Sequence, residues 1–190
     1  MLNIKIILGS TREGRFGEKP VKWIFDEAKK RGEIDIEIID LRDYPLPFFN
    51  YATSPIMSDG KYENEVASRL AKKISEADGF IIATPEYNHG YPAVLKNAMD
   101  FIYNEWRNKP VGFLTWSAAS YAYAVGQLHE VAIGLQMIPI KSVIHLSNFV
   151  NMIDEEGNLK TEPLQKLVDN FFVELIWLAK VLKTGRESQV

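Results

Sequence analysis

Five short runs rich in β-branched and apolar residues recur along the chain, and a helical pattern follows each one. The runs are 2–8, 34–40, 79–84, 109–116 and 139–146. The helical stretches cover 18–31 and 63–77, a third opening at Pro92, a fourth reaching about residue 137, and a fifth over about 162–183. In the first, Val21, Ile24, Phe25 and Ala28 fall at i, i+3, i+4 and i+7, one face of a helix. No hairpin signal joins two strand runs. Alternating β and α requires a parallel sheet with helices on both faces. Right-handed crossovers then make it doubly wound. The pattern predicts one α/β domain over 1–190, a three-layer sandwich around five parallel strands. Residues 34–40 (IDIEIID) alternate apolar and acidic, as an edge strand with one wetter face does.

In such a sheet ligands bind beyond the carboxyl ends of the strands. Three unusual loops, 9–17, 84–91 and 116–121, follow the first, third and fourth strands and so emerge on one edge. Loop 9–17 joins a strand to a helix N-terminus through Gly9, Ser10, Thr11, Arg12, Arg15, Phe16 and Gly17. Hydroxyls, arginine forks, backbone N–H groups and the positive helix end make an anion site there. With neither a Walker pattern nor G-x-G-x-x-G present, a monophosphate suits it better than a diphosphate. The alternative is a surface turn with two solvated arginines.

Loop 84–91 contains Pro85, Glu86, Tyr87 and Asn88, which offer main-chain donors and acceptors beside an aromatic wall. That is what the edge of a flat heteroaromatic ring needs. Glu86 reads more readily as an interface salt-bridge partner than as an acid or base, and the lone His89 as structural or substrate-lining. In loop 116–121, Ser117, Ala118, Ala119, Ser120 and Tyr121 let backbone N–H groups approach a ligand ahead of the next helix. Its simpler reading is a short turn carrying an exposed Trp116.

Composition excludes several classes. A net charge of −3 lacks the basic face of a nucleic-acid protein. The absence of cysteine removes disulfides, thiolate catalysis and cysteine-ligated metals, and is compatible with a reducing cytoplasm. The N-terminus enters a strand without a signal-peptide layout. No apolar run approaches the roughly 20 residues of a membrane helix.

Gly9-Ser-Thr-Arg12, Pro85-Glu-Tyr-Asn88 and Pro92-Ala-Val-Leu-Lys-Asn-Ala-Met-Asp100, in that order, closely resemble the NADPH-dependent FMN reductase family. This flavodoxin-like group includes quinone, chromate and azo-dye reductases. The resemblance covers about residues 2–147. It implies sheet order 2-1-3-4-5 and a non-covalent FMN. The FMN phosphate would lie on Ser10, Arg12, Arg15, Phe16 and Gly17. Its ring would lie against Pro85, Glu86, Tyr87 and Asn88, with Ser117, Ala118, Ser120 and Tyr121 closing the third side. It also implies NAD(P)H as co-substrate and a homodimer or homotetramer. Two positions depart from the pattern. The third loop has Ala118-Ala-Ser where relatives are glycine-rich, and Gly17 stands where relatives often have Asn or Ser.

The expected reaction is ping-pong hydride transfer from NAD(P)H to FMN and on to a quinone or other small electrophile. It needs no side-chain acid, base or nucleophile. Tyr87, Tyr91 and Leu46, Pro47, Phe48 and Phe49 are candidates to wall the acceptor pocket, or else ordinary packing. The rival reading is an FMN-binding electron carrier or redox sensor working through a protein partner. An apolar stripe of Val173, Trp177 and Val181 on the last helix, with Tyr103 and Trp106, suggests self-association.

Overall fold

The structure is a computed structural model in which residues 1–118 and 122–188 are described. Its strands are β1 (Leu2–Leu8), β2 (Ile34–Asp40), β3 (Gly79–Pro85), β4 (Pro110–Ser117) and β5 (Ile138–Ser147). All pair in parallel, in the order β2-β1-β3-β4-β5. The helices are α1 (Glu18–Lys29), α2 (Glu65–Ser75), α3 (Ala93–Asp100), α4 (Tyr123–Gly134) and α5 (Gln165–Glu187). Every residue of β3 and β4 is buried, as strands covered on both faces must be. β2 lies at the edge and alternates, as its acidic residues require.

Two apolar layers sandwich the sheet. One gathers α2, α3 and α4 around Phe80, Phe113 and Trp106. The other packs α1 and α5, the latter through Phe171, on Ile4, Ile6 and Leu114. Trp106 therefore belongs to the core, with its Nε1–H donating to Ile102 O at 3.2 Å, and is no part of an interface. Val173, Trp177 and Val181 do stand exposed on α5. Among the described residues no helix is long and apolar enough to cross a membrane.

Lys109 is buried just before β4, at the sheet end opposite the three loops. Its ammonium donates to Ile74 O at 2.8 Å and Ser75 O at 3.0 Å, the last carbonyls of α2. Burial, helped by nearby Arg186 and opposed by Asp78, lowers its pKa to about 7. The charged form is thus disfavoured in the folded state while the unfolded chain keeps the proton. The cost is full below about pH 7 and disappears above the ordinary lysine value of 10.5. Lys109 should make stability rise with pH across that window, by up to roughly 1.4 kcal/mol per pH unit. Lys109→Met should flatten that rise in urea titrations at several pH values.

Candidate cofactor-binding site

β1, β3 and β4 end side by side, with Leu8 opposite Ala83 and Pro85 opposite Trp116. The loops that leave them therefore start from one line. They enclose a cleft of about 320 Å³, within the usual size range of ligand sites. Ser10, Arg12, Gly14, Arg15 and Phe16 line it from the first loop, and Pro85, Glu86 and Tyr87 from the second. Trp116, Ser117 and Ala118 come from the third loop, and Phe149 from the segment after β5.

The first two loops are joined directly. Ser10 Oγ and the Tyr87 hydroxyl lie 2.8 Å apart. The Arg12 guanidinium carbon sits 5.7 Å from the Tyr87 ring centre, a cation–π arrangement at the mouth of the cleft. Ser10 is buried and Arg12 is exposed, so the serine fixes the floor while the arginine reaches inward from solvent. Gly14 takes φ +60, a left-handed turn open to glycine.

Arg15 behaves differently from Arg12. Its side chain is only 4% exposed and is committed to the protein. Nη1 donates to Ser10 O at 2.6 Å and to Asp40 Oδ1 at 2.7 Å, while Nη2 pairs with Asp40 Oδ2. The bond to Asp40 holds the Arg15 pKa above its ordinary value. Burial pushes the Asp40 carboxyl up, but the bonds from Arg15 and from the Arg42 N–H outweigh it and leave it low. Arg15 lines the cleft, but its terminal nitrogens are engaged by protein oxygens, and it braces the loop through the Ser10 carbonyl.

Gly17 precedes α1 at φ −55 and ψ −20, angles open to any residue. The reason for glycine is close packing. A Cβ here would stand 2.7 Å from Trp116 Cζ2 and 3.0 Å from Leu8 Cδ1. Trp116 is 3% exposed, which corrects its reading as an exposed turn residue. Phe16 packs on Trp116 and on Phe149, with ring centres 6.1 and 4.5 Å away.

In the second loop Tyr87 N–H donates to Gly90 O at 2.7 Å, and Gly90 N–H to Tyr87 O at 2.9 Å. Asn88 and His89 between them have φ +50 and +65, the two-residue pattern of a tight hairpin turn. Asn88 is thus at the exposed tip of the turn, beside the cleft-lining Tyr87. The turn is pinned to α4. Ala124 N–H donates to Glu86 Oε2 at 2.9 Å, which places a carboxylate on the positive helix end. Gln127 Nε2 donates to His89 O at 2.9 Å, and the His89 and Tyr123 rings lie 4.4 Å apart. Glu86 therefore serves as a helix cap within the chain.

Behind the third loop, Ser117 Oγ lies 3.0 Å from His145 Nε2 on β5. Burial holds that imidazole below the ordinary histidine value, and the Glu86 charge pulls the other way. Ser120 and Tyr121 lie outside the described residues. Of the acceptor-wall candidates, Tyr87 alone lines the cleft. Leu46, Phe49 and Tyr91 pack on the α2–α3 core, Phe48 is exposed, and Asn97 Nδ2 donates to Pro47 O at 2.7 Å. Asp40, Arg42, His145 and Phe149 belong to no motif. Their signal is positional: Asp40 and Arg42 sit at the carboxyl end of β2, and His145 and Phe149 at that of β5, on the edge the loops occupy.

A model of the NADPH-dependent FMN reductase family matches residues 2–151. The chain belongs to that family. As a member it is an FMN-dependent oxidoreductase that uses NAD(P)H. It is 37% identical to an NAD(P)H-dependent FMN reductase of Schizosaccharomyces pombe over 134 residues, 70% of this chain and 67% of the relative. It is 27% identical to a 2-hydroxy-1,4-benzoquinone reductase of a Burkholderia species, over 90% of this chain and 92% of that one. The fold is shared with the flavoenzyme NAD(P)H:(acceptor) oxidoreductase FerB of Paracoccus denitrificans. That match has a TM-score of 0.75 at 23% identity and covers 95% of this chain and 98% of the other. The cleft suits the family's cofactor. One exposed arginine, one buried hydroxyl and a glycine turn ahead of a helix N-terminus fit a monophosphate. The Pro85–Tyr87 segment and the Phe16–Trp116–Phe149 cluster give a flat group its neighbours. Among the described residues there is no cluster of side chains able to hold a metal ion.

Proposed function

We propose that the chain binds FMN across this cleft and works as a ping-pong NAD(P)H:acceptor reductase whose acceptor is a quinone or a comparable small electrophile. Ser10, Arg12 and the backbone of Phe16 and Gly17 hold the phosphate. Pro85, Glu86 and Tyr87 border the ring, and Ser117 and Ala118 close the third side, with Ser120 and Tyr121 assigned there too. FMN, when bound, supplies the hydride-accepting and hydride-donating chemistry.

The protein's part is positional. Ser10 and Arg12 fix Tyr87, and Glu86 ties the same segment to the N-terminus of α4, so the ring-bordering backbone is held at both ends. Aromatic neighbours exclude water. The observation that supports this reading most strongly is the meeting of the described parts of all three loops in one cleft. The names of several relatives point the same way for the acceptor: the Burkholderia benzoquinone reductase, a quinone reductase of Pseudomonas putida and an NAD(P)H:quinone oxidoreductase of Solanum tuberosum. Self-association through the exposed Val173–Trp177–Val181 stripe as a homodimer or homotetramer, and a cytoplasmic location, complete the proposal.

Initial-rate kinetics with a water-soluble benzoquinone test it. If donor and acceptor take turns in one cleft, double-reciprocal plots at several quinone concentrations are parallel. Intersecting lines would instead require both to be bound together.

A further inference from the structure

Arg42 stands on the 3₁₀ turn Leu41–Asp43 after β2, and it does not line the cleft. Yet two of its three side-chain contacts go to the loop that does. Nε donates to Thr11 O at 3.4 Å, Nη2 donates to Arg12 O, and Nη1 reaches Glu18 Oε1 at 3.3 Å. Arg15 Nη1 takes the preceding carbonyl, that of Ser10, at 2.6 Å. Asp40 joins the two arginines, accepting from Arg15 through both oxygens and from the Arg42 N–H at 3.0 Å. Three successive carbonyls, 10, 11 and 12, are therefore held by two guanidinium groups, with Asp40 pairing the Arg15 guanidinium and fixing Arg42 through its backbone N–H.

Peptide geometry gives this arrangement a consequence. In a trans peptide the C=O of one residue and the N–H of the next point in opposite directions, and the chain has no cis bonds among its described residues. Holding the carbonyls of Ser10, Thr11 and Arg12 on the Arg15–Arg42 clasp turns the N–H groups of Thr11, Arg12 and Glu13 away from it. Successive N–H groups facing one way form an anion-binding concavity.

We infer that Arg42, with Asp40 as its anchor, is a positioning residue that sets the phosphate affinity of the loop without touching the phosphate. This rests on the reading that loop 9–17 receives the FMN phosphate. The loop is ordered before the ligand arrives, so binding does not have to supply that ordering. Lysine cannot replace Arg42, because a single ammonium lacks the planar fork that spans two carbonyls.

The test compares FMN with riboflavin, which has the same ring and no phosphate. Dissociation constants for both are measured on apoprotein by quenching of flavin fluorescence, for wild type, Arg42→Ala and Arg42→Lys. Wild type should bind FMN far more tightly than riboflavin. Losing two carbonyl contacts should weaken FMN binding by about tenfold, with the riboflavin constant unchanged and Arg42→Lys recovering little of the loss. Arg42 is exposed, so both variants should fold, and thermal unfolding checks this. An unchanged FMN-to-riboflavin ratio in Arg42→Ala overturns the inference, and so does an equal loss for both ligands, which marks a merely structural role. Wild type that fails to prefer FMN over riboflavin overturns the phosphate reading itself and the inference with it.

Discussion

Gly17→Ala is expected to weaken FMN binding by about tenfold or more, a loss of at least ~1.4 kcal/mol. Backbone conformation offers no objection to the change, since Gly17 already has helical angles and alanine is the better helix former. The new methyl group would lie 2.7 Å from Trp116 Cζ2 and 2.9 Å from Cη2. These are distances at which one partner must move. The indole is buried and pressed by Phe16, which in turn packs on Phe149. Shifting it therefore disturbs the aromatic side of the cleft and the last residues of the phosphate loop together. Overpacking of this kind costs roughly 1–3 kcal/mol, so a comparable fall in stability should accompany the loss of affinity. Fluorescence titration with FMN and a melting curve on the same sample measure both.

Gly112→Ala is the substitution with the largest expected effect on stability. Gly112 lies in β4 where its pairing with β5 shifts register between Val111 and Phe113. A Cβ there would sit 2.4 Å from Phe171 Cζ and 2.6 Å from Cε2, with Ile140 Cδ1 at 3.1 Å. Phe171 is fully buried and stacked edge-on against Phe172, so it has nowhere to turn. α5 must then lift from the sheet or β4 must bend. The expected loss is about 3 kcal/mol, the upper end for overpacking, read as a lower urea midpoint. Trimming the obstructing ring should relieve it. Gly112→Ala/Phe171→Leu should be more stable than the two separate effects predict by about 1 kcal/mol, the signature of residues in contact.

Both glycines show where the sequence stops being informative. The alternation of strands and helices determines the parallel sheet, and all five strands lie within a residue of their expected limits. It also predicts that loops 9–17, 84–91 and 116–121 meet, which they do as far as the described residues extend. What each loop residue does depends on distant partners. Arg12 and Arg15 look alike in the sequence. Only the folded position of Asp40 separates them, turning Arg15 into a brace and leaving Arg12 at the cleft mouth. Asn88 belongs to a motif associated with the ring, but the two-residue turn it forms with His89 carries it to the exposed tip. Asn and His are both among the non-glycine residues enriched at positive φ, so the local sequence is compatible with the turn but does not say where its tip points. Trp116 looks exposed until Gly17 is placed against it. Arg42 belongs to no motif, and its role emerges only from the three carbonyls it and Arg15 gather.

Family membership and the cleft converge on one claim, that FMN held between the three loops accepts electrons from NAD(P)H and passes them on. The most direct measurement is the visible spectrum of protein reconstituted with one equivalent of FMN, freed of unbound flavin and titrated without oxygen with NADPH and then NADH. The flavin bands should remain with the protein, bleach in proportion to the nicotinamide added, and return on addition of benzoquinone. Flavin that elutes from the protein, or bound flavin that keeps its absorbance with either nicotinamide, would contradict the account.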